Sequence, residues 1–157
     1  MAAVKPIPTG FHSITPHLIV KGADKALDFY RRAFGATEKV RMAGPGGTIV
    51  HAEIEIGDSI VMLGEESVEM GARGPLALGG SSVSIMIYCD DADAMFARAT
   101  GAGATVKMPL DDAFWGDRYG QVTDPFGHVW SIATHKRDMT PADMKKAMDE
   151  FFAQMPA

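Results

Sequence analysis

Two stretches of this chain follow one plan, and only a fold that repeats itself satisfies both. Ala23–Val40 (ADKALDFYRRAFGATEKV) and Asp91–Met108 (DADAMFARATGAGATVKM) each place an Asp near a helix start. Apolar residues follow at helical spacing, and a Gly-Ala-Thr segment leads out into a strand. An apolar run precedes each helix: ITPHLIV (Ile14–Val20) and VSIMIYC (Val83–Cys89). Two strands joined by a tight turn follow each. The first pair is HAEIEIGDSIVML (His51–Leu63), turning at Gly57-Asp58. The second is GDRYGQVTDPFGHVWSIATH (Gly116–His135), turning at Asp124-Pro125-Phe126-Gly127. The copies lie about 69 residues apart, a period too long for a hairpin and right for a duplicated supersecondary unit.

Each unit therefore reads as strand, helix, then three strands. In the first, the pattern predicts strands over 14–20, 37–42, 48–56 and 59–64 and a helix over 23–34. In the second it predicts strands over 83–89, 104–108, 117–123 and 128–134 and a helix over 91–101. The fold class is α+β, with tandem βαβββ modules at 14–64 and 83–135. Residues 1–13 form an extended leader rich in Pro and Gly. Residues 65–82, broken by Gly71, Gly74, Pro75, Gly79 and Gly80, link the modules either as a surface connector or as a mobile gate. Residues 136–157 hold a further helix. Thr140 caps it, Pro141 fits its first turn, and Asp143 suits its positive end. Met144, Ala147, Met148, Phe151, Phe152 and Met155 recur along it at helical spacing, a stripe that calls for burial.

Composition narrows the function classes. A chain of 157 residues suits one domain. The net charge of −5 argues against a nucleic-acid partner. No apolar run approaches the roughly 20 residues of a membrane span. Residues 1–13 lack the pattern of a secretory signal, so a cytoplasmic location is expected. The single cysteine, Cys89, excludes an internal disulfide and reads as structural. No G-x-S-x-G elbow, phosphate-binding loop or dinucleotide fingerprint is present.

The tandem units, with Asp-Pro-Phe-Gly before the last strand, resemble the vicinal oxygen chelate superfamily. It includes glyoxalase I, extradiol dioxygenases, fosfomycin resistance enzymes and bleomycin-resistance proteins. HAEIEIGDSIVML and FWGDRYGQVTDPFGHVWSIATH are closest in character to its PhnB-like, glyoxalase-related branch. The resemblance spans about residues 12–152. It implies that each module curls its sheet into half of a cup, that two halves enclose a cavity, and that the chain forms a homodimer, with modules paired within a chain or between subunits. Metal-dependent members draw ligands from four positions on the first and fourth strands. Those positions fall here on Thr15, Met62, Ser84 and Ser131, none of them a good ligand for zinc, nickel or manganese. The resemblance thus implies a fold whose inherited metal centre this chain lacks, and no cofactor is expected.

Strand alternation sorts the remaining candidates. It places Ile14, Pro16, Leu18 and Val20 on the helix-packed face, leaving Thr15, His17 and Ile19 toward the cup. On the third strand His51, Glu53 and Glu55 share a face, opposite Ala52, Ile54 and Ile56. On the last, Val129, Ser131, Ala133 and His135 share one. His51 beside Glu53 is an acid–base pair by spacing, or a solvated polar face. Arg118 offers a planar fork to an anionic substrate, or an ion pair to Asp112, Asp117 or Asp124. Asp117, Tyr119 and Gln121 are further polar candidates. His17, His51, Glu53 and His135 are the residues around which a relocated metal site would have to be built. His17, Met62, Met86, Tyr88, Phe114, Trp115, Ser131 and His135 are the expected ligand-binding set, apolar and aromatic with a few polar groups. Trp130 alternates into the core. The expected function is metal-independent binding of a small apolar or aromatic molecule, as in sequestration or resistance. The alternatives are a glyoxalase-type lyase or isomerase acting on a small carbonyl or anionic substrate, with or without a relocated divalent ion, and a cup filled by its own side chains.

Overall fold

The computed structural model describes residues 4–154. Element order repeats as expected. The first unit contains β1 (His17–Val20), α1 (Ala23–Phe34), β2 (Thr37–Ala43), β3 (Ile49–Ile56) and β4 (Ser59–Glu65). The second contains β5 (Ser84–Tyr88), α3 (Ala92–Ala102), β6 (Thr105–Asp112), β7 (Asp117–Thr123) and β8 (Val129–His135). A short helix, α2 (Pro75–Leu78), lies in the segment between them, and α4 (Pro141–Ala153) follows the second unit.

The strands form two four-stranded mixed sheets, ordered β1-β4-β3-β2 and β5-β8-β7-β6, rather than one continuous sheet. In each, the first strand runs parallel to the fourth, and the rest are antiparallel. The registers superpose: His17 lies beside Met62 and Met62 beside Glu53, while Met86 lies beside Ser131 and Ser131 beside Gln121. The twofold repetition seen in the sequence is thus a repetition of residue pairs.

Helix ends explain why the helices begin and stop where they do. Asp91 caps α3 by accepting from Ala94 N at 2.9 Å. At α1 the cap comes from another element. The Glu65 carboxylate of β4 accepts from Gly22 N and Ala23 N, both at 2.7 Å, a negative charge on the positive end of the helix. Gly35, at φ 69°, ends α1 in the left-handed conformation.

One face of each sheet is covered by its helix, and α1 packs against α3. The core lies between: Leu18, Val20, Phe29, Tyr30, Ile54, Leu63, Trp130 and Ile132 are all buried. The Asp124-Pro125-Phe126-Gly127 turn of the second unit reaches across to α1. Asp124, 4% exposed, accepts from Tyr30 Oη and Trp130 Nε1 on one oxygen, and from Phe126 N and His128 N on the other. Burial and the Asp124 charge both push the Tyr30 phenol well above its ordinary pKa.

Three expectations need correction. β1 starts at His17 rather than 14, and Ile14 is 86% exposed, so it does not join the helix-packed face. β6 runs on to Asp112, four residues beyond the expected end, because Asp111 and Asp112 pair with Tyr119 and Arg118 after an irregularity in register. The α4 stripe is not buried. Met148, Phe151 and Phe152 are 39, 45 and 59% exposed, and among its described contacts Phe151 packs on Phe114 at 5.2 Å between ring centres. Met155 lies outside the described residues.

Candidate functional site

The sheet faces opposite the helices carry the polar residues. On the first sheet the structure brings His17, His51, Glu53 and Met62 together. His51 Nε2 lies 3.2 Å from Glu53 Oε1, and the His17 and His51 rings meet edge to face at 5.8 Å. Gly64 stands in the row that contains His51. A methyl group there would sit 2.8 Å from the Val50 carbonyl oxygen and 3.9 Å from His17 Nε2, so the glycine keeps floor space beneath the rings. Part of the leader lies over this face. Pro6, Ile7, Pro8 and Phe11 line, with Thr15, Glu53 and Met62, an open pocket of about 460 Å³.

The second sheet carries a matching set. Tyr119 Oη and Ser131 Oγ are 3.0 Å apart, and Gln121 Nε2 donates to both, at 2.8 and 3.0 Å. By register Gln121 stands where Glu53 stands in the first unit, and Tyr119 where His51 stands. Ser131 is 3% exposed and forms the floor. Among the described residues Gln121 Oε1 has no hydrogen-bond partner, leaving a carbonyl acceptor on the open face. Tyr119 and Gln121 are thus part of this face, beyond the ligand-binding set expected from the sequence. The missed signal was the repeat itself, which places a polar i, i+2 pair on the third strand of both units.

An aromatic wall borders this face. Trp115 meets Tyr119 at 5.1 Å and Phe114 at 5.0 Å, both edge to face. Behind the wall is Asp117, 3% exposed. Tyr88 Oη and Trp115 Nε1 each donate to its Oδ2 at 3.0 Å, and His135 Nδ1 lies 2.7 Å from its Oδ1. His135 Nε2 also lies 3.0 Å from Asp138. The bonds to Asp138 and then Asp117 raise the His135 pKa, and the bond to Asp117 raises that of Tyr88. Tyr88, Trp115 and His135 are therefore fixed by one buried carboxylate at the rim.

Arg118 sits elsewhere. Alternation on β7 turns it toward α3, where it bonds Asp93 at 2.9 and 3.2 Å and approaches Asp112 at 3.4 Å. Its fork is taken by carboxylates, and it does not share a face with Tyr119, Gln121 or the His51–Glu53 pair. Met86, on the free edge of the second sheet, is 40% exposed beside Ser131.

The inherited metal positions do not fit a metal. Ser131 Oγ is engaged by Tyr119 and Gln121, and Met62 is a thioether next to Glu53. Thr and Ser hydroxyls add only weak neutral donors. His135 is tied to Asp117 on the second sheet, apart from His17, His51 and Glu53. Among the described residues no group of three or more His, Cys, Asp or Glu is arranged to hold an ion.

A sequence model of the glyoxalase/bleomycin resistance protein/dioxygenase superfamily matches residues 10–132. The chain belongs to that superfamily. An uncharacterized protein of Mycobacterium tuberculosis (strain ATCC 25618 / H37Rv) is 44% identical over 139 residues, covering 87% of this chain and 82% of that protein. The crystal structure of TioX from Micromonospora sp. ML1 is 32% identical with a TM-score of 0.64, over 79% of this chain and 98% of that one. A PhnB protein from Bacillus cereus shares the fold at 18% identity and a TM-score of 0.62, over 78% of this chain and 99% of that one. The superfamily match ends at Ile132, so α4 lies beyond it. Among the described residues no helix is long and apolar enough to cross a membrane.

Proposed function

We propose that this superfamily member binds a small, partly aromatic molecule on its cup faces without a metal. The observation that carries this reading is the Tyr119–Gln121–Ser131 trio. It is a converging polar group in a floor otherwise lined by Ala133 and Val129, beside a wall of Trp115 and Phe114. A flat apolar body stacks on the wall, and a polar end exchanges hydrogen bonds with Gln121 and Tyr119. Tyr88, Met86 and His135 border the same face, and His17 and Met62 border the matching face of the first sheet. The chain works in the cytoplasm as a homodimer. Supporting the dimer, β1 and β5 are both free sheet edges, and Val83, Met86 and Tyr88 are 64, 40 and 61% exposed along one of them.

The test is a thermal-shift screen of EDTA-treated protein against one- and two-ring aromatic compounds. A compound at a hundred times its dissociation constant adds about 2.7 kcal/mol to stability. Absence of any stabilising compound from such a panel contradicts the reading, as does stabilisation that appears only when a divalent ion is restored.

A second reading has its own support. His51 and Glu53, with side chains 26 and 19% exposed and 3.2 Å apart, form an acid–base pair suited to proton transfer on a small carbonyl compound, as a lyase or isomerase requires. Arg118, bonded to Asp93, is left out of that site.

A further inference from the structure

The two units meet at two quasi-equivalent junctions, and only one is filled. At the filled junction Tyr30, Phe34, Phe126 and Trp130 pack ring against ring around Asp124. The repeat places Ala99 where Tyr30 stands and Val61 where Trp130 stands. The Gly57-Asp58 turn of the first unit is shorter than its counterpart in the second and contributes no equivalent of Phe126. With two large rings replaced by a methyl and an isopropyl group, the second junction is left open.

A cavity of about 710 Å³ borders this junction at Val61, within the range of ordinary small-molecule sites. Ile56, Val61, Ile85, Ile87, Met95 and Trp130 line it. On their strands, Ile85, Ile87, Val61 and Trp130 alternate with the cup-facing residues, so the body of this cavity is on the helix side of the sheets, while Met86 and Tyr88 of the free β5 edge line its border with the proposed site. Among the described residues the lining includes Asp58 and Asp90, both exposed, together with His12, and no Lys or Arg.

We propose that this inter-unit cavity is a second binding site, for an amphiphile with a slender hydrocarbon body and a cationic amine head. The apolar lining takes the body, and Asp58 and Asp90 receive the head. The fit follows from burial of apolar area, with the two carboxylates setting a preference of charge.

Three probes with one body and different heads test this: n-octylamine, n-octanol and n-octanoate, titrated separately while the methyl resonances of Ile85, Ile87 and Met95 are followed. The expected result is saturable shifts of those methyls, with octylamine about threefold to fivefold tighter than octanol, as exposed carboxylates provide, and octanoate weakest. Asp58→Asn with Asp90→Asn, both exposed changes, removes the preference for the amine and leaves octanol binding intact. Val61→Trp, which copies the filled junction, abolishes binding of all three. If that variant does not fold, Met95→Phe narrows the cavity with a smaller change and weakens all three. Undisturbed Ile85, Ile87 and Met95 methyls at saturating octylamine overturn the proposal, including the case in which a second copy of the chain covers the mouth. So does octanoate binding as tightly as octylamine.

Discussion

Tyr30 and Asp124, 94 positions apart, are joined by a buried hydrogen bond of 2.8 Å, with the phenol donating. That bond ties the helix of the first unit to the turn of the second. The same carboxylate holds the turn's own backbone and the Trp130 indole. Asp124 is thus the point at which local turn chemistry and the joining of the two units meet.

Replacing Asp124 with Ala leaves Tyr30 Oη, Trp130 Nε1 and two backbone N–H groups without their acceptor. The expected loss is about 3 kcal/mol or more, read from the midpoint of urea unfolding. Tyr30→Phe removes one donor and keeps the ring packing, and should lose about 1–2 kcal/mol. Near-equal stability of Asp124→Ala and wild type would show that the turn is not what joins the units.

His135 has a carboxylate at each ring nitrogen, and neutral imidazole has only one N–H to offer. Its pKa is raised above the ordinary value of about 6.5, first by Asp138 and then by Asp117. A raised folded-state pKa stabilises the protein fully below the unfolded value and progressively less as pH rises through the folded one. Thermal midpoints should therefore fall as pH climbs above about 6.5 and through the raised His135 pKa. The decline should flatten in His135→Gln. A slope that is unchanged in that variant would assign the dependence to another group.

If the His51–Glu53 pair moves protons, Glu53→Gln should reduce turnover of a small carbonyl substrate about a hundredfold or more while leaving its KM nearly unchanged. A KM rise at constant kcat would make Glu53 a binding group instead.

Gln121→Leu removes both the amide donor and the free carbonyl acceptor at nearly constant volume. Affinity for the aromatic ligand should fall about tenfold, roughly one hydrogen bond's worth. Titration calorimetry on the two proteins reads this directly, and equal affinities would place the ligand off this face.

Much of this architecture was legible in the sequence. The repeat gave both units, an Asp near each helix start marked where α1 and α3 begin, and the cap Thr140 marked the start of α4. Alternation placed His51 with Glu53 and Ser131 with Ala133 and His135. The same alternation sets Arg118 opposite Tyr119, but a single charged residue among several acids gave no reason to prefer one face. In the sequence Asp117 is one polar candidate among several, because its three donors come from β5, β8 and the loop before β7, and only the assembled sheet brings them together. Likewise, apolar residues at helical spacing specify that α4 has an apolar side. They carry no record of what lies against it. The cavity between the units arises from residues far apart in the chain, so its volume is a property of packing alone.

The central claim is that the cup faces hold an aromatic ligand without a metal. The most direct measurement is a two-dimensional NMR titration of EDTA-dialysed protein with one- and two-ring aromatic compounds. Saturable shifts centred on Trp115, Tyr119, Gln121 and Ser131 are expected in the absence of any divalent ion. Shifts at those residues that require an added divalent ion, or saturation that leaves them unmoved, would contradict the claim.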